Sequence, residues 1–232
     1  MTASIRHVIW DFNGTLLDDV SCCLGALSTL LEERALPPIT TERYREEFGF
    51  PVRDFYLGLG FDFEREDFDA VSRTFIARYL ERIADARAYS GAHDALRYVA
   101  GRSIRQSVLS AMEHTMLSDL LTRYDLHEPM EHVRGLSDLR ASSKVELGRA
   151  LLAEIDAPPE AIVVVGDTLH DHETATALGC RAVLVAQGHQ TRARIERAVQ
   201  SMPRAHGHTG ERAPVIVDSL DEVVTWLQEQ AA

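Results

Sequence analysis

Short apolar runs without polar interruption occur at HVIW (7–10), IRQSVLS (104–110), AIVVVG (161–166) and RAVLVA (181–186), with a weaker one at PVIVD (214–218). Runs that do not alternate suit strands buried on both faces of a parallel sheet. Apolar residues recur at helical spacing in GAHDALRYVAGR (91–102), MEHTMLSDLLTRY (112–124), SKVELGRALLAEI (143–155), HETATALG (172–179) and SLDEVVTWLQEQ (219–230). Strands alternating with helices predict an α/β fold, a Rossmann-like doubly wound parallel sheet.

The interval between the first two runs departs from that rhythm. Residues 17–88 hold no convincing strand but carry amphipathic patterns at 20–34, 40–48 and 65–84. An ordinary crossover needs only about a dozen residues, so this length points to an insertion. The expected organisation is an all-helical cap over 17–88, inserted into a core formed by 1–16 and 89–232. Extra helices packed directly on the main sheet would give the same pattern. Within the insertion, FGFPVRDFYLGLGF (48–61) breaks the helical spacing with Gly and Pro and carries Arg53. Near the other end, MPRAHGHTGERAP (202–214) reads as a surface loop whose His206 and His208 are solvated.

Composition narrows the partners. The formal net charge of −12 argues against nucleic acid or an anionic membrane surface. No run of eighteen apolar residues exists, so no transmembrane helix is expected, and the first strand begins too early for a signal peptide. Cys22, Cys23 and Cys180 are odd in number and lack CxxC spacing, which suits free thiols in the cytoplasm. A negatively charged protein that binds a phosphate must make its site locally positive with a metal or a cation. Composition says nothing of oligomeric state.

Doubly wound sheets bind ligands beyond the carboxyl ends of their strands. Asp11, Asn13, Gly14 and Thr15 follow the first run, Ser110 ends the second, and Asp167 and Asp171 follow AIVVVG. Lys144 opens the helical pattern before that last strand. It is the only lysine in the chain, every other basic residue being arginine, which suggests a site that wants a compact ammonium. Asp171 could instead simply cap a helix starting near His172. His170 and His172 flank it but point in different directions on a helix, so they do not converge on a metal. GHQ (188–190) is placed at the border of the entrance.

Asp11, Ser110, Lys144 and GDTLHD (166–171) together resemble, in order and spacing, the four motifs of the haloacid dehalogenase superfamily, in its phosphoglycolate-phosphatase-like branch. The resemblance spans nearly the whole chain. It implies a Mg²⁺-dependent phosphatase acting on a small phosphorylated metabolite. Asp11 would be the nucleophile forming an aspartyl-phosphate. Asp167, Asp171, the Asp11 carboxylate and the backbone carbonyl of Asn13 would hold Mg²⁺, while Ser110 and Lys144 would hold phosphoryl oxygens. Arg53, in a cap loop similar to the one that closes over the leaving group in relatives, would contact an anion or hydroxyl of the substrate or else lie on the surface.

Asn13 departs from the pattern. The family's phosphatases carry Asp there, to protonate the leaving oxygen and then activate water. An amide can hydrogen-bond but cannot transfer the proton. A slow enzyme, one that draws its proton elsewhere, a residue substituted to trap a complex, and a protein that binds phosphate esters without turnover all fit this exchange. A dehalogenase would need no paired metal acids, and a Schiff-base hydrolase would need a cap lysine, which is absent.

Overall fold

The computed structural model describes residues 4–136, 143–202 and 213–230. In chain order the elements are β1 (His7–Trp10), β2 (Leu17–Asp18), α1 (Val20–Glu33), α2 (Thr41–Glu47), α3 (Val52–Gly58), α4 (Phe68–Arg82), β3 (Arg87–Ala88), α5 (Ala92–Ala100), β4 (Arg105–Glu113) and α6 (His114–Arg123). They continue with β5 (His132–Leu136), α7 (Lys144–Leu152), β6 (Ile162–Gly166), α8 (Leu169–Leu178), β7 (Arg181–Val185), α9 (Arg192–Ser201), β8 (Val215–Val217) and α10 (Leu220–Gln230).

Six strands pair in parallel in the order β5-β4-β1-β6-β7-β8. The fold is an α/β, Rossmann-like sheet with helices on both faces. β1 and β6 lie at its centre and are buried at every residue, which is why both read as unbroken apolar runs. On one face Val8, Trp10, Val163 and Val165 pack with α5, α6 and α10 through Leu96, Leu121 and Leu227. On the other, Ile9, Leu109 and Val164 pack against α7 and α8 through Leu151 and Leu178.

Five elements carry no clear signal in the sequence, and two of them, β2 and β3, are two-residue strands within 17–88, a stretch that reads as free of strands. β5 is an edge strand whose HVRGL is only partly buried, so no apolar run marks it. Helix α9 reads RARIERAVQS and buries only Ile195. Pro51 stands at the N-cap of α3, so it starts a helix where the composition of 48–61 reads as a break. One boundary also moves. Helix α8 begins at Leu169, not near His172, and its N-cap is Thr168. Most of the loop expected at 202–214 lies outside the described residues.

The helices between β2 and β3 leave the sheet through a narrow ribbon. β2 and β3 pair antiparallel, Leu17 with Ala88 and Asp18 with Arg87. Beyond it α1 to α4 share a hydrophobic cluster of their own, including Leu27, Leu31, Tyr44, Phe55, Tyr56 and Val71. Polar bonds tie α2 back to the segment after β7. Arg45 Nη2 donates to the carbonyls of Ala186 (3.0 Å) and Gln190 (3.2 Å). Gln190 Nε2 donates to the Phe48 carbonyl (2.9 Å), and Thr191 Oγ1 to Glu46 (2.7 Å).

Candidate active site

The carboxyl ends of β1 and β6 point into one cavity of about 430 Å³ between the sheet and the helices α1 to α4. Asp11 follows β1, held by its N–H donating to the Val165 carbonyl (2.8 Å). The chain then turns at Gly14, with φ of 72°. A Cβ there would come within 2.3 Å of Asp167 Oδ2, so the approach of this turn to the β6 loop also requires glycine. Thr15 Oγ1 lies 3.4 Å from Asp11 Oδ2 and 3.3 Å from Asp167 Oδ1.

Lys144 is the first residue of α7, after Ser143, whose hydroxyl forms a capping box with Glu146. Its Nζ donates to Asp11 Oδ1 and, at 2.6 Å, to Asp171 Oδ1. Asp171 sits in the first turn of α8, where its other oxygen accepts from the Thr168 N–H (3.0 Å) and Oγ1 (2.7 Å). Asp171 therefore both reaches back to the cap residue and faces the lysine; the helix it was expected to cap starts two residues before it. Ser110 lines the cavity. It lies inside β4, not after it, where the pairing with β5 shifts register between Leu109 and Glu113.

Ligand atoms of Asp11, Asp167 and Asp171 lie within 4.8 Å of one another, and all three side chains are buried. Burial pushes Asp11 up to about 6, against the pull of Lys144, and Asp171 adds to the rise. Burial pushes Asp167 up to about 7, against His189, and Asp11 and Asp171 add to it. Asp171 is held below the usual range because Lys144 and the Thr168 bonds outweigh its burial. Burial works against the charge on Lys144, but Asp11 and Asp171 overcome it and raise its pKa. Three carboxylates thus face one ammonium, and the cluster is short of positive charge.

A second buried network adjoins it, joining Asn13 and His189 to Asp19, Tyr44 and Tyr79, which the sequence reading did not single out. Asp19, the N-cap residue of α1, is fully buried. Its Oδ2 accepts from Asn13 Nδ2 (2.8 Å) and from the Tyr79 hydroxyl (2.8 Å), and its Oδ1 from the Gly14 N–H (3.0 Å). Asn13 Nδ2 also donates to the Tyr79 oxygen (3.0 Å). His189 Nε2 lies 3.3 Å from Asp19 Oδ1, and its Nδ1 is 2.9 Å from the Tyr44 hydroxyl. The His189 N–H donates to Asp167 Oδ2, which joins the two networks. Burial opposes the charge on His189, but Asp19 overcomes it and pushes the imidazole up to about 9. Asp19 is correspondingly held low, His189 outweighing burial.

Asp11, Asn13, Ser110, Lys144, Asp167 and Asp171 all line this cavity. Arg53 does not. It is exposed on α3, with its guanidinium 5.3 Å from the centroid of the Phe63 ring, so the stacking holds it away from the cavity. His189 does line it, so the GHQ segment contributes a wall residue. The signals available for the second network were the doubled acid at 18–19 and the histidine placed after a core strand.

Residues 8–185 match the family described as haloacid dehalogenase-like hydrolase. The chain is 26% identical over 223 residues to a probable phosphatase, IndB, of Dickeya dadantii, covering 94% of this chain and 91% of that one. It is 23% identical over 192 residues to a phosphoglycolate phosphatase of Chromobacterium violaceum, covering 80% and 86%. Its fold is similar to the solved structure of a haloacid dehalogenase-like hydrolase from Streptococcus pneumoniae, with a TM-score of 0.79, 17% identity and coverage of 97% and 99%.

Proposed function

The chain belongs to the haloacid dehalogenase-like hydrolases and is a phosphatase, and on that premise we propose that it hydrolyses small phosphate monoesters through an aspartyl-phosphate on Asp11. The observation that carries this reading is the cluster of the buried Asp11 carboxylate with Asp167 and Asp171, in which Lys144 bridges Asp11 and Asp171. In the first step an Asp11 oxygen attacks phosphorus and the bond from phosphorus to the ester oxygen breaks. The alcohol leaves after taking a proton from water. In the second, water attacks phosphorus, the bond to Asp11 breaks, and inorganic phosphate leaves. Lys144 and Ser110 hold phosphoryl oxygens as charge moves between them.

The three carboxylates fit a Mg²⁺ ion. They offer only oxygen donors, they are too few to close a cage, and the three of them share a single bonded ammonium, that of Lys144. Asp11, Asp167 and Asp171, with the Asn13 carbonyl, would hold it. When bound, Mg²⁺ neutralises the repulsion between the nucleophile and the phosphoryl group. The neighbouring trio Asp19, Cys23 and His189 could also converge on a metal, but there Asp19 and His189 already balance each other. Residues 17–88 act as a cap that shuts the cavity, and the three free cysteines support a cytoplasmic location.

One observation favours a second reading. Asn13 cannot pass a proton and its amide is spent on Asp19 and Tyr79, as a phosphate-ester-binding protein with impaired turnover would tolerate. Steady-state hydrolysis of p-nitrophenyl phosphate separates the two. The enzyme reading expects turnover that EDTA removes and Mg²⁺ restores, and that falls by at least about 10⁴-fold in Asp11→Asn, as in other enzymes stripped of a nucleophile. Unchanged activity in Asp11→Asn overturns it.

A further inference from the structure

Resting on the phosphatase reading, we infer that the substrate is the monophosphate of an apolar alcohol, alkyl or aryl, and not a phosphorylated acid or polyol. The cavity has two unlike ends. Its sheet end holds the carboxylates, Lys144 and Ser110. Its far end, between α1, α3 and α4, is walled by Leu27, Phe55, Tyr56, Phe75 and Ile76. Leu27 and Tyr56 are almost fully buried, and the rings of Tyr56 and Phe75 meet edge-on with centroids 6.4 Å apart.

The polar atoms on the way between the two ends are largely committed. The Tyr79 hydroxyl is bonded to Asp19 and that of Tyr44 to His189. Among the described residues, Arg73 is the arginine lining the cavity, and it lies on its exposed side, 3.8 Å from Asp67. A carboxylate or several hydroxyls carried into the apolar end would lose water with little beyond Ser72 and the exposed Arg73 on α4 to replace it, a large cost for each group left unpaired. An alkyl chain or an aromatic ring would instead gain from leaving water, about fourfold in affinity for each buried methylene. At about 430 Å³ the cavity falls within the range of sites that enclose most of a small organic ligand.

The test is a homologous series of n-alkyl monophosphates, ethyl to octyl, together with 1-naphthyl phosphate, phosphoglycolate and glucose 6-phosphate, all with Mg²⁺. The expected result is a kcat/KM that climbs about fourfold per methylene until the cavity is full. Phosphoglycolate and the sugar phosphate should lie at least about a hundredfold below hexyl phosphate, the difference of a few methylenes plus an unpaired polar group. Ser72→Phe, which fills the cavity from α4, should cut the ratio of hexyl to ethyl phosphate by about tenfold. A flat series, or phosphoglycolate as the best substrate, overturns the inference while leaving the phosphatase reading intact. Absence of turnover on every ester sinks the phosphatase reading instead. The substrate class is then decided by calorimetric binding of the matching alkylphosphonates, where tightening with chain length supports it and a constant affinity overturns it.

Discussion

Two buried charge networks meet beneath the same cavity, and they are balanced differently. Around Asp11, three carboxylates share one lysine, and two of them are pushed well above the usual carboxylate range. Around Asp19, one carboxylate faces an imidazolium, an amide, a phenol and a backbone N–H, and it is held low. Buried charges persist when paired and bonded, and shift their pKa when they are not. The first network is short of positive charge, as the proposed Mg²⁺ site would be. The second is complete within the chain, and Asn13 belongs to it.

That membership revises what an exchange at position 13 should do. A positioned acid–base group contributes about 10²–10⁴-fold, which on sequence alone is the gain expected from Asn13→Asp. In the structure the new carboxylate would stand one hydrogen bond from Asp19, and two carboxylates so placed cannot both ionise. The single variant should therefore gain less than about tenfold. The double variant Asn13→Asp/Asp19→Asn should recover about 10²-fold or more. Stopped-flow assays with p-nitrophenyl phosphate check this. The parent should show a burst near one equivalent followed by slow turnover, and the double variant should lose the burst. A single variant as fast as the double would remove Asp19 from the account.

A smaller effect separates the networks by pH. His189 is raised from 6.5 to about 9, so its contribution to stability is complete below 6.5 and is lost as pH rises through 9. The shift corresponds to at most about 3 kcal/mol. Urea unfolding of the metal-free protein should show this decline between those values, and His189→Asn should flatten it. Equal slopes in the two proteins would mean that the pair with Asp19 does not act through charge. The acids behave differently. Asp11 and Asp167 hold protons in the folded state to about 6 and 7, so their network loses stability at lower pH, as pH rises from 3.8 toward 7.

The smallest expected effect is that of the metal on stability. At about ten times its dissociation constant, Mg²⁺ should stabilise the fold by about 1.4 kcal/mol, a rise in Tm of about 3–6 °C for a chain of this size. Asp167→Asn should abolish the rise, whereas Asp19→Asn should keep it. A rise that depended on Asp19 would assign the cation to the wrong network.

The parts of this arrangement that the sequence made legible are those tied to strand ends. β1 and β6 announce themselves because every residue is buried, and the acids that follow them are then in place to meet. Lys144 could be picked out because it is unique in composition. Asp19 and Tyr79 could not, because their meeting depends on how α1 and α4 leave the ribbon, which no local pattern encodes. Arg53 stands away from the cavity for a related reason. An arginine in a broken stretch looks like a ligand contact, but α3 turns it outward onto Phe63. β5 and α9 escaped because edge elements bury too little to impose a period.

The bonds between α2 and the segment after β7 also set a clock. Five of them, from Tyr44, Arg45, Gln190 and Thr191, would have to break for the helical layer to swing away on its two-stranded ribbon. At about 0.5–1.5 kcal/mol net for each, these bonds alone would make an open form a minor population. If residues 17–88 act as the proposed cap, entry and exit would wait on that population, and the latch would ration how often an alcohol leaves.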